Sequence, residues 1–238
     1  MTERELQIAG NLSSVRDRIE AAKRVRGDGR EVRLLAATKT VSAEDIIFAA
    51  DHLSLRIAGE NRAQEFNEKF DTVSPHLDEY HFIGHLQTNK VKYVVGRAAL
   101  IHSVSSVRLA REISRVATAK GIVQRVLLEL NCAREESKSG FMPEEISEAI
   151  DEIGTFSGIE VCGIMTMGPA GAEKEALRKY FQETYAIFID NFEKKPHNIR
   201  ETVLSMGMSD SFDLAIEEGA TLVRVGSAIF GNRFYPER

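Results

Sequence analysis

Eight short apolar runs punctuate this chain, and most are followed by a longer segment whose apolar residues recur three and four apart. The runs occupy 32–37, 55–59, 80–84, 100–104, 126–130, 161–165, 202–206 and 221–225. The helical patterns lie at 42–52, 61–70, 89–95, 106–119, 143–153, 173–192 and 211–218. Short continuous apolar runs read as buried strands, and strands alternating with helices pair in parallel. Two architectures satisfy that pattern, an open doubly wound sheet and a closed barrel. Eight repeats in 238 residues match one (β/α)8 barrel. The open sheet normally carries a glycine-rich turn after its first strand, and here that turn reads Thr38-Lys39-Thr40. The fold expected is therefore α/β, a single-domain (β/α)8 TIM barrel spanning 1–238.

One more helix precedes the first strand. Leu6, Ile8, Leu12, Val15, Ile19 and Ala22 recur at helical spacing between charged residues, which predicts an extra N-terminal helix within 1–26, packing on the barrel. Ser42-Ala43-Glu44-Asp45 has the form of a capping box, Pro143 suits a first helical position, and Gly219 suits a helix end.

Composition narrows the function classes. Lys and Arg total 31 against 36 Asp and Glu, a net charge of −5 that argues against nucleic acid as a partner. Cys132 and Cys162 stand far apart with no CxxC or Cys/His cluster, and the histidines show no HExxH spacing, so neither a disulfide framework nor a metal site is expected. Two such cysteines fit a reducing cytoplasm. No segment has the length of a membrane span, and residues 1–26 lack the apolar core of a secretion signal, so a soluble, unprocessed protein is expected.

In a (β/α)8 barrel the C-terminal strand ends surround the mouth where chemistry is done. Lys39 ends the first strand and is placed there. After the eighth strand, Arg224-Val225-Gly226-Ser227 offers a glycine that admits close approach to the backbone and a serine opening a short helix, whose N–H groups favour a phosphate. Next to it the seventh strand ends in Ser205-Met206-Gly207-Met208-Ser209. An amine facing an anion cradle fits a phosphorylated carbonyl compound held as a Schiff base, with desolvation and Arg224 lowering the lysine pKa. Taken singly these residues have plainer roles: Lys39 paired with Glu60 or Glu129, Gly226 and Gly231 as turn glycines, Asn61 as a helix cap. His85 and Lys90 face the mouth after the third strand, and Ser137-Lys138-Ser139-Gly140 after the fifth reads as a flap or a turn. Met165 and Met167 on the sixth read as packing residues.

Six segments carry a family resemblance: LLAATKT, GENRAQEF, HFIGHLQTNK, EESKSGF, GIMTMGP and LSMGMSDSFDLAIEEGATLVRVGSAIFG. In this order, over nearly the whole chain, they resemble the pyridoxal phosphate homeostasis proteins, single-domain relatives of the alanine racemase barrel. The resemblance implies that Lys39 forms the internal aldimine with pyridoxal 5'-phosphate and that Gly226 and Ser227 hold its phosphate, with Ser205 or Ser209 assisting. It places Arg224 beside the pyridine nitrogen and Asn61 near the ring, and it assigns no catalytic residue. A permanently charged Arg disfavours a proton on that nitrogen and weakens the electron sink. Racemases with this Arg use a tyrosine from a further β domain, which is not expected in this sequence. The function expected is a carrier or buffer in pyridoxal phosphate homeostasis, a monomer, with apo forms of pyridoxal phosphate enzymes as recipients. The alternative is a fold-type III pyridoxal phosphate-dependent amino-acid racemase; a class I aldolase acting on a sugar phosphate lacks an evident acid/base pair. Lys90 and Lys138 have no assigned role.

Overall fold

The structure is a computed structural model that describes residues 1–135, 138–169, 171–193 and 202–231. After the N-terminal helix α1 (Glu3–Arg26) come β1 (Arg33–Ala37), β2 (Ile57–Glu60), β3 (Glu79–Phe82), β4 (Ile101–Val104), β5 (Gln124–Leu130), β6 (Ile159–Thr166), β7 (Val203–Ser205) and β8 (Leu222–Val225). Each strand pairs in parallel with its chain neighbour, and β8 pairs with β1 to close the ring. All eight apolar runs become strands, with ends moved by at most two residues.

Alternation along the strands separates two cores. Leu35, Ile57, Leu100, Leu127, Cys162, Met165, Val203 and Leu222 fill the barrel interior as one buried cluster. Their neighbours Ala36, Ala58, Ile101, Leu128, Ile164, Leu204 and Val223 join helix residues in a second, larger one. Both strand faces are thus buried, which is why the runs read as continuous rather than alternating.

Around the barrel lie α2 (Ala43–Leu53), α3 (Ala63–Val73), α4 (Val91–Val94), α5 (Val107–Ala119), α6 (Ile146–Ile153), α7 (Lys174–Phe188), α8 (Phe212–Glu217) and α9 (Ser227–Phe230). Three differ from expectation. The 89–95 segment is a 3-10 turn at Thr88–Lys90 followed by the single turn of α4. Pro143 does not open α6, because the Phe141 N–H bonds the Glu129 carbonyl and draws the chain along β5 before a turn releases it at Ile146. Beyond α7 the pattern continues as a π turn at Ile189–Glu193. Ser42 caps α2 through the Asp45 N–H, while the reciprocal capping box belongs to α1, between Thr2 and Glu5.

Among the described residues, β8 is followed only by the single turn of α9, too short to cover the seam between β8 and β1. α1 lies there instead, against α2, α8 and α9, with Ile8, Leu12, Val15, Ile19 and Ala22 buried. Polar contacts fix it along its length: Asn11 Nδ2 to the Ile229 carbonyl at 2.9 Å, Arg18 to Asp213 at 2.8 Å and Arg26 Nη1 to the Ala220 carbonyl at 2.9 Å. The N-terminal helix therefore serves as the eighth cover of the barrel. Among the described residues no helix is long and apolar enough to cross a membrane.

Candidate functional site

β1 stops at Ala37, and the chain turns at once, with the Val41 N–H bonded to the Thr38 carbonyl at 3.0 Å. Lys39 sits half-buried in this turn, and Thr40 beside it has φ +65°. That is left-handed backbone, which costs a β-branched residue about 1–2 kcal/mol. Helix α3 holds it in place. The Thr40 N–H donates to Glu65 Oε2 at 3.2 Å, and Lys69 Nζ donates to the Thr38 carbonyl at 3.2 Å. Lys69 also lies 2.8 Å from Glu60 Oε1 and 3.7 Å from Glu65 Oε2. Glu60, one of the carboxylates the sequence offered to Lys39, is thus engaged by another lysine. Burial outweighs that attraction and pushes the Glu60 carboxyl up to about 7.

Lys39 lines a cavity of about 690 Å³ at the C-terminal strand ends, together with Asn61, Ser209, Arg224, Gly226 and Ser227. Gly226 lets β8 run close to β1, since a Cβ there would stand 3.0 Å from the Ala37 carbonyl oxygen. The next N–H groups are tied to one hydroxyl: Ser209 Oγ accepts from Gly226 N at 3.2 Å and from Ala228 N at 3.3 Å. An anionic oxygen could take the same donors.

Ser205 is not among the residues lining this cavity. As the last residue of β7 its side chain enters the barrel, fully buried, while Ser209 reaches the mouth four residues later. Ser205 instead supports Arg224: Arg224 Nη1 donates to Ser205 Oγ at 2.6 Å and to its carbonyl at 2.9 Å, and Nη2 to the Thr166 carbonyl at 2.9 Å. Burial lowers the Arg224 pKa to about 10 against the attraction of Glu129 and Tyr180, so the guanidinium is a cation at neutral pH.

Asn61 does not cap α3, whose N-cap is Arg62 without a side-chain bond. Its Oδ1 is buried at the cavity with no hydrogen-bond partner; Glu60 Oε2 and Glu129 Oε2 are also buried without one, on residues that do not line the cavity. Burial raises the Glu129 pKa, opposed by His85 and Arg224. An orphaned oxygen at about 1–3 kcal/mol is a standing cost, and at Asn61 it is of the kind a ligand in the cavity relieves.

Most of the remaining expectations fall outside the cavity. His85 lies in a separate open groove, Lys90 stands over the Tyr93 ring, and Lys138 is exposed and paired with Glu135. Ser137 is outside the described residues. Met165 packs in the inner core, and Met167 lines the cavity. Arg4 and Asp45, an ion pair at 2.9 Å, also line it and were not anticipated, because Arg4 reaches the mouth only once α1 fills the seam. Glu65 and Lys69 were missed too, although their i, i+4 spacing after GENRAQ was a legible signal.

The model of the alanine racemase N-terminal domain matches residues 10–234. A pyridoxal phosphate homeostasis protein of Aquifex aeolicus is 42% identical over 225 residues, covering 94% of this chain and 97% of the relative. Among solved structures, PipY of Synechococcus elongatus with pyridoxal phosphate bound superposes with a TM-score of 0.78 at 29% identity, covering 94% of this chain and 100% of that one. An alanine racemase of Clostridium difficile shares the fold, with a TM-score of 0.72 at 15% identity, over 97% of this chain and 60% of the racemase.

Proposed function

This chain belongs to the alanine racemase N-terminal domain family, among its pyridoxal phosphate homeostasis proteins, and from that premise we propose that it holds pyridoxal 5'-phosphate on Lys39 as a carrier or buffer. The observation that carries the proposal is the convergence on one cavity of an amine, a buried guanidinium and N–H groups already tied to a hydroxyl oxygen. The residues fit the cofactor: Lys39 for its aldehyde, Gly226, Ser227 and Ser209 for its phosphate, Arg224 for its ring nitrogen, and Asn61, with its unpaired Oδ1, for a polar ring substituent. When bound, pyridoxal phosphate supplies an aldehyde that condenses reversibly with a primary amine to a Schiff base, with loss of water.

Arg224 decides between holding and catalysis. A guanidinium only donates hydrogen bonds, so it can address the ring nitrogen while leaving that nitrogen without its proton. Two of the tyrosines weighed as a racemase base have other duties. Tyr180 OH donates to the Met167 carbonyl at 3.0 Å and bonds Thr166 Oγ1, and Tyr80 OH lies 3.4 Å from Glu60 Oε1 behind the barrel wall. Tyr235 is outside the described residues. These contacts favour a holder over a racemase, and the buried thiols Cys132 and Cys162 fit a reducing cytoplasm. With α1 committed to the seam, a monomer that passes its cofactor to apo-enzymes is the assembly we propose.

Incubation with pyridoxal phosphate, borohydride reduction and peptide mass spectrometry test the proposal. An adduct on Lys39 is expected, with its absorption band lost in Lys39→Ala. A colourless wild-type protein, or an adduct confined to another lysine, refutes it. Chiral analysis of an amino-acid panel distinguishes the alternative, since turnover at enzymatic rates would make the protein a racemase.

A further inference from the structure

Inside the barrel a file of polar side chains leads away from the cavity. Arg224 Nη1 donates to Ser205 Oγ at 2.6 Å, and Ser205 Oγ lies 3.1 Å from His102 Nδ1. His102 Nε2 lies 2.9 Å from His81 Nδ1, and His81 Nε2 2.6 Å from Glu79 Oε2. Glu79 Oε1 ends the file by accepting from Arg33. Five strands contribute, and Ser205, His102 and His81 are fully buried.

The two ends fix the terminal bonds, because a guanidinium only donates and a carboxylate only accepts, and neutral imidazoles between them fix the rest. Ser205 accepts from Arg224, and among the described bonds its own hydrogen has one side-chain acceptor, His102 Nδ1. His102 then carries its proton on Nε2 and gives it to His81 Nδ1. His81 carries its proton on Nε2 and gives it to Glu79. This arrangement satisfies each member, and in it both imidazoles are neutral. Their surroundings agree: His102 faces His81 on β3, Arg224 on β8 and Arg33 on β1, and His81 faces Glu79, Arg33 and Arg125 on β5. Burial is the largest influence on each and holds both pKa values below the ordinary one.

We propose that His102 and His81 are positioning residues for the cofactor site, acting through Ser205 to hold Arg224 as a fixed donor at the cavity. The proposal rests on pyridoxal phosphate being held at Lys39. Two measurements test it. In apo protein carrying ¹⁵N-histidine, long-range ¹H–¹⁵N spectra at and above neutral pH should show both rings as Nε2–H tautomers. A charged or Nδ1–H ring near neutral pH overturns the proposal.

In the second, His102→Leu leaves the Ser205 hydroxyl without its acceptor. It should weaken pyridoxal phosphate binding roughly tenfold and displace the pH midpoint of the bound cofactor's absorption band. His102→Asn, which returns an acceptor in place of Nδ1, should recover affinity and midpoint. Equal losses in both variants would mark a merely structural role and overturn the proposal. If wild type traps the cofactor on Lys39 and His102→Leu matches it throughout, the positioning role fails and the cofactor assignment stands. If wild type traps nothing, the assignment fails with everything that rests on it, while the tautomers still report whether the file exists.

Discussion

Thr40 shows how much of this site is decided outside its own residues. A β-branched side chain at φ +65° persists because Glu65 accepts its N–H and Lys69 grips the carbonyl two residues earlier. Glu65→Ala removes one side of that grip. It should cost about 1 kcal/mol of stability in urea melts and weaken trapping of pyridoxal phosphate on Lys39 in an absorption titration; unchanged trapping would mean that the turn holds itself. Lys39, Arg224, Gly226 and Ser227 were legible because strand ends of a barrel share one mouth. The placement of Ser205 was not, since a register step of one residue decides whether a side chain enters the barrel or faces the helices.

Among the elements, α1 has the most consequential position. Its stripe was readable from periodicity, but its task was not, because that depends on α9 amounting to one turn. Leu12 is buried beneath it, so Leu12→Ala should lower stability by about 2–5 kcal/mol, read from denaturant midpoints. A loss no larger than that of an exposed position such as Leu6 would show that the seam is closed without α1. The short forms of α4 and α6 escaped the sequence reading for a different reason. Periodicity records which residues are apolar and not when backbone hydrogen bonds to a strand, such as Phe141 to Glu129, take precedence.

The whole molecule should respond to pH through opposing buried groups. Glu79 is held down to about 2 by His81 and Arg33, and His81 and His102 lie below their ordinary value of 6.5, so the folded chain binds fewer protons at these sites than the unfolded one. Their stabilisation is present above pH 6.5, falls as the imidazoles charge, and falls further below 4.5 toward 2. Glu60 has the opposite sign: raised to about 7 from 4.5, it favours folding below 4.5, and that contribution is lost as pH rises through 7. Urea midpoints between those two values should therefore drop more steeply on acidification in Glu60→Gln than in wild type, and less steeply in His102→Asn. Identical slopes would mean that neither burial is felt.

The pairing of β1 with β8 also sets an order in time. Translation delivers Lys39 early, yet Arg224, Gly226 and Ser227 are among the last described residues to leave the ribosome. On the proposed reading, a nascent chain carries the amine before it carries the phosphate cradle, so loading with the vitamin must wait until β8 has been made and paired with β1.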